Sequence, residues 1–533
     1  MSKRKSTFLL STVAIAGCFL VPLLIGRTGS RKETKTSATP TPSAVKAAAA
    51  PISLSKQPED MALAREIDRA IDTSDLTRAR WGVFVISMKD GRVLCSRNGD
   101  KLFTPASNMK IYTTAAAIDL LGADYRWRTS VYADKQPDAR GVIDGNLTLY
   151  GRGAPDLQTK SLTSLADQMY QRGVRQVRGD VVGDESYFRG ELFGLGWQWN
   201  DLQWYFGAEP SALTVDENSF DLTITPAKKV GDSATLTLNR AANYVHLINH
   251  TNTVERDAAT TIGIDRRLSD NELLVWGDFP AGGRAFGAGL SIPKPSLWAA
   301  TLFKQILIAR GIKVEAAART RDSRAAETDK FDPQKAFEIA QESSAALSEI
   351  VRHTNKESDN LYAELILRTL GKERGASAPD ADSRKNRERG DDEAGVAVVR
   401  SWLDHNAVAA DDLQIRDGSG LSRLDLVTPE ATARLLVVIS TTNSATAFRD
   451  SLPISGRDGT LSGRLPREAG RVFAKTGTLT YDHSLSGYAV TPDREVLAFS
   501  IFCNDASGEG NPVRIIDQIT DLIAESRSTL TAK

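Results

Sequence analysis

Hydrophobic and polar positions change rhythm several times along the chain, and each change predicts a different element. Lys3, Arg4 and Lys5 precede an uncharged, mostly apolar run from Ser6 to Gly26, which Arg27 closes. A basic flank followed by an apolar run is the pattern of an export signal. The run is long enough to cross about 30 Å of hydrocarbon as a helix. Residues 1–28 therefore read first as an uncleaved membrane anchor with Lys3–Lys5 on the cytoplasmic side. Ile15-Ala16-Gly17-Cys18 also matches a lipoprotein-type cleavage site, although Phe19-Leu20-Val21 follows where a polar tether is expected. A cleaved signal peptide is the third reading. All three place the folded part outside the cytoplasm, in the periplasm or cell envelope. Residues 29–58 are rich in Ser, Thr, Ala, Pro and Lys, with almost nothing to bury, and read as a flexible tether.

Periodic sequence starts near Met61. Trp81–Ser87 is rich in strand-forming residues, Asp90-Gly91 supplies a turn, and Val93-Leu94-Cys95 returns, which predicts a hairpin. After Thr104-Pro105 comes a helix that is apolar on most sides (Ile111, Tyr112, Ala115, Ala116, Ile118, Leu120), hence a buried one. From about Thr129 to Asp332 short alternating segments such as Asn146–Tyr150 and Ala234–Leu238 predict half-buried strands. Helices over Leu162–Tyr170 and Ser296–Ala309 interrupt them. From about Pro333 the pattern is helical again, and the charged segment between Gly371 and Gly395 reads as a solvated loop. Ser484–Val490 and Val496–Cys503 predict two strands, and Pro512 opens a final helix with Ile515, Ile516, Ile519, Leu522 and Ile523 on one face. A hairpin near the start and strands near the end suit one sheet from which the middle of the chain is looped out.

Composition narrows the function. The chain has 533 residues, with Lys+Arg 67 against Asp+Glu 67. Zero net charge argues against a nucleic acid or an anionic lipid surface as the main partner. Three cysteines exclude a disulfide scaffold, and Cys95 and Cys503 are the only pair available in the folded part. Five histidines make a His-based metal centre unpromising. His246 and His250 have an i, i+4 spacing but lack the glutamate of H-E-x-x-H and sit in strand-like sequence. Trp197, Trp199, Trp204, Tyr205 and Phe206 could stack on sugars, but such a cluster is more often core.

Three short motifs carry the candidate chemistry. Ser107-Asn108-Met109-Lys110 is an S-x-x-K at the start of the buried helix. Residues i and i+3 share a helix face, so the lysine amine reaches the serine hydroxyl. Serine is a poor nucleophile until a base takes its proton, and lysine is such a base once its pKa falls. Ser2–Lys5, Ser53–Lys56 and Ser291–Lys294 match the same spacing, but only Ser107 leads into an apolar helix; Pro293 disfavours the last. Ser358-Asp359-Asn360 precedes a helical run, whereas its duplicate Ser269-Asp270-Asn271 precedes a strand-like one. Lys475-Thr476-Gly477-Thr478 is the only K-T-G and reads as the end of a strand. Its lysine and hydroxyls suit a substrate carboxylate, and its glycine lets a substrate backbone lie against the strand. Each motif has a bland reading: a surface serine, a helix cap, an edge strand. S-x-x-K, S-D-N and K-T-G in this order are the signature of penicillin-recognising serine enzymes.

The sequence resembles the class C low-molecular-mass penicillin-binding proteins, the D-alanyl-D-alanine carboxypeptidase/endopeptidase family. The likeness extends to Leu149–Gly153, Gly179–Asp184, Gly196–Trp199, Gly207–Leu213, Asn355–Asn360 and Asp417–Ser422. It covers nearly everything after about Met61, and the long gap between Lys110 and Ser358 separates it from β-lactamases. Ala154-Pro155-Asp156 departs from the family pattern, in which Asp-Pro often follows the glycine.

The resemblance implies an α/β multidomain protein: an antiparallel sheet flanked by helices plus a helical subdomain. Residues 59–128 and 333–528 would form the discontinuous catalytic domain, with β-rich inserted domains at 129–332. It implies cleavage of peptidoglycan stem peptides through an acyl-enzyme on Ser107, acylation by β-lactam antibiotics, and no metal or other cofactor. In this reading Lys110 is the general base and Ser358 relays a proton to the leaving amine, while Lys475 depresses the pKa of the neighbouring amine. Asn360, Lys475, Thr476, Gly477 and Thr478 bind substrate, and backbone N–H groups of Ser107 and Thr478 form the oxyanion hole. A β-lactamase and a catalytically silent wall-binding protein are the alternatives; motif spacing opposes the first and the intact motifs the second.

Overall fold

The computed structural model describes residues 53–267, 271–375, 390–408 and 411–527. The N-terminal anchor, most of the tether, Cys18, Lys385, Arg387, Arg389 and the Ser269-Asp270 pair of the duplicate motif lie outside the described residues. Among the described residues no helix is long and apolar enough to cross a membrane.

A five-stranded antiparallel sheet joins the two ends of the chain. Its order is Val472–Leu479, Asp482–Val490, Val496–Asn504, Arg80–Ser87 and Val93–Arg97. The expected hairpin is present, with Val85 opposite Cys95 and Gly91 at φ 75° in the turn. Both sheet faces are covered, so its inner strands are buried almost throughout. One face packs against Pro58–Asp72 and Pro512–Glu525, whose Ile67, Ile515 and Ile519 meet Val83, Val85 and Ile501. The other packs against Met109–Leu121 and Pro429–Ile439, with Phe103 stacked on Phe502 at 5.8 Å. Met109 to Ile118 is buried residue for residue, as an all-round apolar pattern demands. Cys95 and Cys503 are buried and free.

A second five-stranded sheet runs Ala318–Arg321, Val181–Asp184, Leu147–Tyr150, Arg128–Ala133 and Phe337–Ser343. Arg128–Ala133 and Phe337–Ser343 pair antiparallel, so the chain leaves and re-enters side by side. Helices resume only at Leu347, not at Pro333; the strand forms because Glu338–Ser343 complete the edge beside Arg128–Tyr132. Ser219–Thr225 alternates buried and exposed positions and pairs with Phe286–Ser291 and Thr235–Leu238 over a separate core of Phe220, Leu222 and Leu290. The larger core runs without a break from Ile111 and Tyr112 into Val131, Leu147, Leu149 and Phe303. At the end of the charged segment, Asp391, Asp392 and Glu393 are not in a loop: they form the first turn of the helix Asp391–His405, where carboxylates face the helix's positive end.

Phe502→Ala removes a fully buried ring from the centre of the first sheet and is expected to cost about 3–5 kcal/mol in urea denaturation. Arg80→Ala breaks an exposed pair with Asp505, one residue past the strand Val496–Asn504, and is expected to cost less than about 1 kcal/mol.

Candidate active site

The three motifs are separated by hundreds of residues and converge at one point. Ala106–Asn108 form a single 3-10 turn that leads into Met109–Leu121. This sets Lys110 beneath Ser107, with Nζ 2.9 Å from Ser107 Oγ. The same Nζ lies 2.6 Å from Asn360 Oδ1 and 2.7 Å from the Ser419 carbonyl. Lys475 Nζ lies 2.8 Å from Ser358 Oγ and 2.9 Å from the Thr476 carbonyl. Ser107 and Ser358 are half-buried, Lys110 and Lys475 fully buried, and Thr478 exposed.

Each loop is held by local chemistry. Asp359 caps the helix Asn360–Arg374 by accepting the Tyr362 N–H at 3.0 Å, so S-D-N is a helix cap as well as part of the site. Ser358 is left-handed at φ 62°, a conformation that costs energy for serine and persists only where the surroundings impose it. K-T-G lies inside the strand Val472–Leu479 rather than at its end. A Cβ on Gly477 would meet Ser484 Oγ at 2.2 Å, the Pro105 carbonyl at 2.8 Å and Ser107 N at 3.1 Å, so only glycine lets this strand close on the nucleophile's turn. Asn108, between Ser107 and Met109, donates to the Lys475 carbonyl at 2.9 Å and ties the first motif to the third.

Behind Lys110 lies a layer whose role was not evident in the motifs. Glu364, one helical turn beyond Asn360, accepts the N–H groups of Gly418 and Ser419. Asp417 accepts from Gly420 N, Ser422 N and Trp197 Nε1 at 2.7–2.8 Å. Gly420 is at φ +80°, and a Cβ there would lie 1.8 Å from the Ala106 carbonyl. These contacts aim the Ser419 carbonyl at Lys110. The sequence signal was the Asp417–Ser422 run itself, but nothing in it specified that a backbone carbonyl would be the functional atom. The long stretch between the first two motifs also reaches the site: Asn360 Nδ2 donates to the Phe206 carbonyl at 2.9 Å.

The electrostatics differ between the two amines. Burial pushes Lys110 down to about 8, opposed by the charges of Asp417, Asp359 and Glu364. Burial pushes Lys475 well below its usual range, and the charge of Lys110 pushes it further. Repulsion between two cations is mutual, so each amine lowers the other's affinity for a proton, and the carboxylates near Lys110 oppose the fall there. Burial and the adjacent Asp417 raise Glu364.

Other candidates separate from the site. Trp199 and Tyr205 are 72% and 58% exposed and so are not core, whereas Trp204 packs against the core of Phe220 and Leu290, and Trp197 is fixed by its bond to Asp417. Ser291 ends a strand and bonds the Leu202 carbonyl at 2.6 Å, and Lys294 is left-handed, so this S-x-x-K forms no helical turn. His246 and His250 are exposed on one strand, where four residues span about 13 Å, too far for one ion. Among the described residues, the one trio with metal-ligand spacing is Glu217, His353 and Asp359, whose ligand atoms lie within 4.8 Å of one another.

Comparison with known proteins agrees with this geometry. The family model of D-Ala-D-Ala carboxypeptidase 3 (S13) matches residues 63–526. A D-alanyl-D-alanine carboxypeptidase of Actinomadura sp. (strain R39) is 34% identical over 87% of this chain and 84% of its own. D-alanyl-D-alanine carboxypeptidase DacB of Haemophilus influenzae is 27% identical over 82% of this chain and 89% of its own. The crystal structure of penicillin binding protein 4 from Haemophilus influenzae superposes with a TM-score of 0.73 at 24% identity, covering 87% of this chain and 99% of that one. The fold is thus that of the penicillin-binding proteins, and the chain belongs to the D-Ala-D-Ala carboxypeptidase 3 (S13) family.

Proposed function

We propose that the protein is a serine-type D-Ala-D-Ala carboxypeptidase of peptidoglycan stem peptides in which Ser107 is the nucleophile. The observation that carries this reading is the Lys110 amine, fully buried, within hydrogen-bond reach of Ser107 and held by Asn360 and Ser419. Ser107 Oγ attacks the carbonyl carbon between the two terminal D-alanines while Lys110 Nζ takes its proton. The tetrahedral oxyanion is held by the backbone N–H groups of Ser107 and Thr478. The C–N bond then breaks, and the D-alanine amine leaves with a proton relayed from Lys110 through the Ser358 hydroxyl, which Lys475 fixes at 2.8 Å. Water hydrolyses the ester and restores Ser107. Asn360 contacts the acyl side; Thr476, Thr478 and Lys475 hold the terminal carboxylate, with Gly477 giving access. A β-lactam follows the first step and remains as a stable ester.

Residues 59–128 and 333–528 form the catalytic domain in this proposal and 129–332 the insertions, with Phe337–Ser343 the strand by which the chain rejoins. The exported, envelope location and the N-terminal membrane anchorage follow from the basic and apolar leader and from a substrate that lies outside the cytoplasm. A DD-endopeptidase activity on cross-linked stems belongs to the same chemistry, since both reactions cleave a bond to a D-centre.

Ser107→Ala is expected to abolish covalent labelling by a fluorescent penicillin; label retained on the variant would remove Ser107 from its role. The general base must be unprotonated, and Lys110 titrates at about 8. The rate of β-lactam acylation should therefore climb about tenfold per pH unit well below 8 and level off above it. A rate flat from pH 6 to 9 would place the base elsewhere. Chromatography of muropeptides after digestion of purified walls should show pentapeptide losing D-alanine, and dimers converting to monomers if the endopeptidase activity is present.

A further inference from the structure

Thr476 has a neighbour that belongs to none of the three motifs. Its hydroxyl donates to Oγ1 of Thr460 at 2.8 Å, on the 3-10 turn Gly459–Leu461. Thr460 is exposed, so its hydroxyl meets solvent on one side and Thr476 on the other.

The turn that carries Thr460 is fixed to the far wall of the site. Asp458 places both carboxylate oxygens 2.7 Å from Lys356 Nζ, which also donates to the Leu452 carbonyl at 2.7 Å. Asp458 Oδ1 accepts Ile454 N at 2.8 Å and closes the turn. The Lys356 side chain is only 8% exposed, so this ion pair is shielded on the lysine side. Gly459 is at φ 55°, and a Cβ there would lie 2.8 Å from the Lys356 carbonyl, so the turn rests on the Lys356 backbone. Lys356 is two residues before Ser358, and Ser358 is bonded to Lys475 beside Thr476. Hydrogen bonds join Ser358 to Lys475, Thr476 to Thr460 and Asp458 to Lys356, and short stretches of chain from Thr460 to Asp458 and from Lys356 to Ser358 close the ring.

We propose that Thr460 is a positioning residue for the substrate's terminal carboxylate, acting through the Thr476 hydroxyl. This rests on the reading of Thr476 given above. A hydroxyl carries one donor and two acceptor sites, and its hydrogen rotates to suit. When a carboxylate accepts from Thr476, that hydrogen turns from Thr460 to the anion, and the Thr460 hydroxyl turns to donate to the Thr476 oxygen in its place. The two hydroxyls then form a chain of donors that ends on the anion, and each bond polarises the next. No covalent bond changes, and each proton stays on its own oxygen. The carboxylate takes no part in bond breaking, so the contact is worth the same in the ground and transition states and is expressed in KM rather than kcat.

The test compares a D-Ala-D-Ala-terminated peptide with its C-terminal amide, on wild type, Thr460→Val, Thr460→Ala and Thr460→Ser. Wild type should prefer the free acid. In the Val and Ala variants KM for the acid should rise about fivefold with kcat changed less than twofold, and the preference for acid over amide should fall by the same factor. Thr460→Ser should restore both. Acid preference unchanged in Thr460→Val and Thr460→Ala, an equal loss on both substrates, or a loss confined to kcat overturns the role of Thr460 alone. A wild type that does not distinguish acid from amide overturns the reading of Thr476 and the proposal with it. Fluorescent-penicillin labelling of Ser107 at saturation, which does not depend on Thr460, verifies that each variant is folded.

Discussion

Lys110 has no exposed surface, and a buried amine is stable only when its N–H groups and charge find partners. Its three partners come from three separate segments: Ser107 from its own helix turn, Asn360 from the start of the helix Asn360–Arg374, and the Ser419 carbonyl from a loop far along the chain. Satisfying one side chain therefore fixes three pieces of backbone against one another. The same burial that demands partners also lowers the affinity for the proton, and the nearby carboxylates limit how far it falls. Lys475, equally buried, is pushed down by burial and by the charge of Lys110, and it bonds the Ser358 hydroxyl. Two amines of one residue type thus acquire different properties from their surroundings.

The layer behind Lys110 draws in residues far from the three motifs. Trp197 donates to Asp417, Ser422 donates to the Leu195 carbonyl, and Asn360 donates to the Phe206 carbonyl. Asp417 in turn shapes the loop that presents Ser419. The sheet that holds Leu147 and Val181 also shares one hydrophobic core with the helix Met109–Leu121. Residues 195–206 therefore form part of the wall around Asn360 and Ser419 by hydrogen bonds, and the second sheet is joined to the same helix by packing.

Much of the fold was legible because the signals were local. The Trp81–Cys95 hairpin, the buried helix after Pro105 and the two C-terminal strands are periodic stretches whose rhythm matches their burial. Phe337–Ser343 was not legible as a strand because it forms only by pairing with Arg128–Ala133, more than two hundred residues away. Asp391–Glu393 read as solvated because the carboxylates are polar, yet they begin a helix whose apolar face appears only further along. The aromatic cluster Trp197–Phe206 misled in the opposite direction: residue type favoured core, and the local path of the chain left Trp199 and Tyr205 outside.

The sequence by itself determined which chemistry was available, because a serine, a lysine one helical turn on, and the S-D-N and K-T-G segments are each short-range patterns with few physical uses. It also determined that Ser107, rather than Ser291, begins a helix, since Pro293 interrupts the decoy. Tertiary structure alone decided the rest. It chose Ser419's carbonyl as the third partner of Lys110, set the left-handed Ser358 against Lys475, and brought Thr460 to Thr476. None of these is written in residue type or spacing: a backbone carbonyl is identical at every position, and a contact between distant segments exists only once the chain has closed around it.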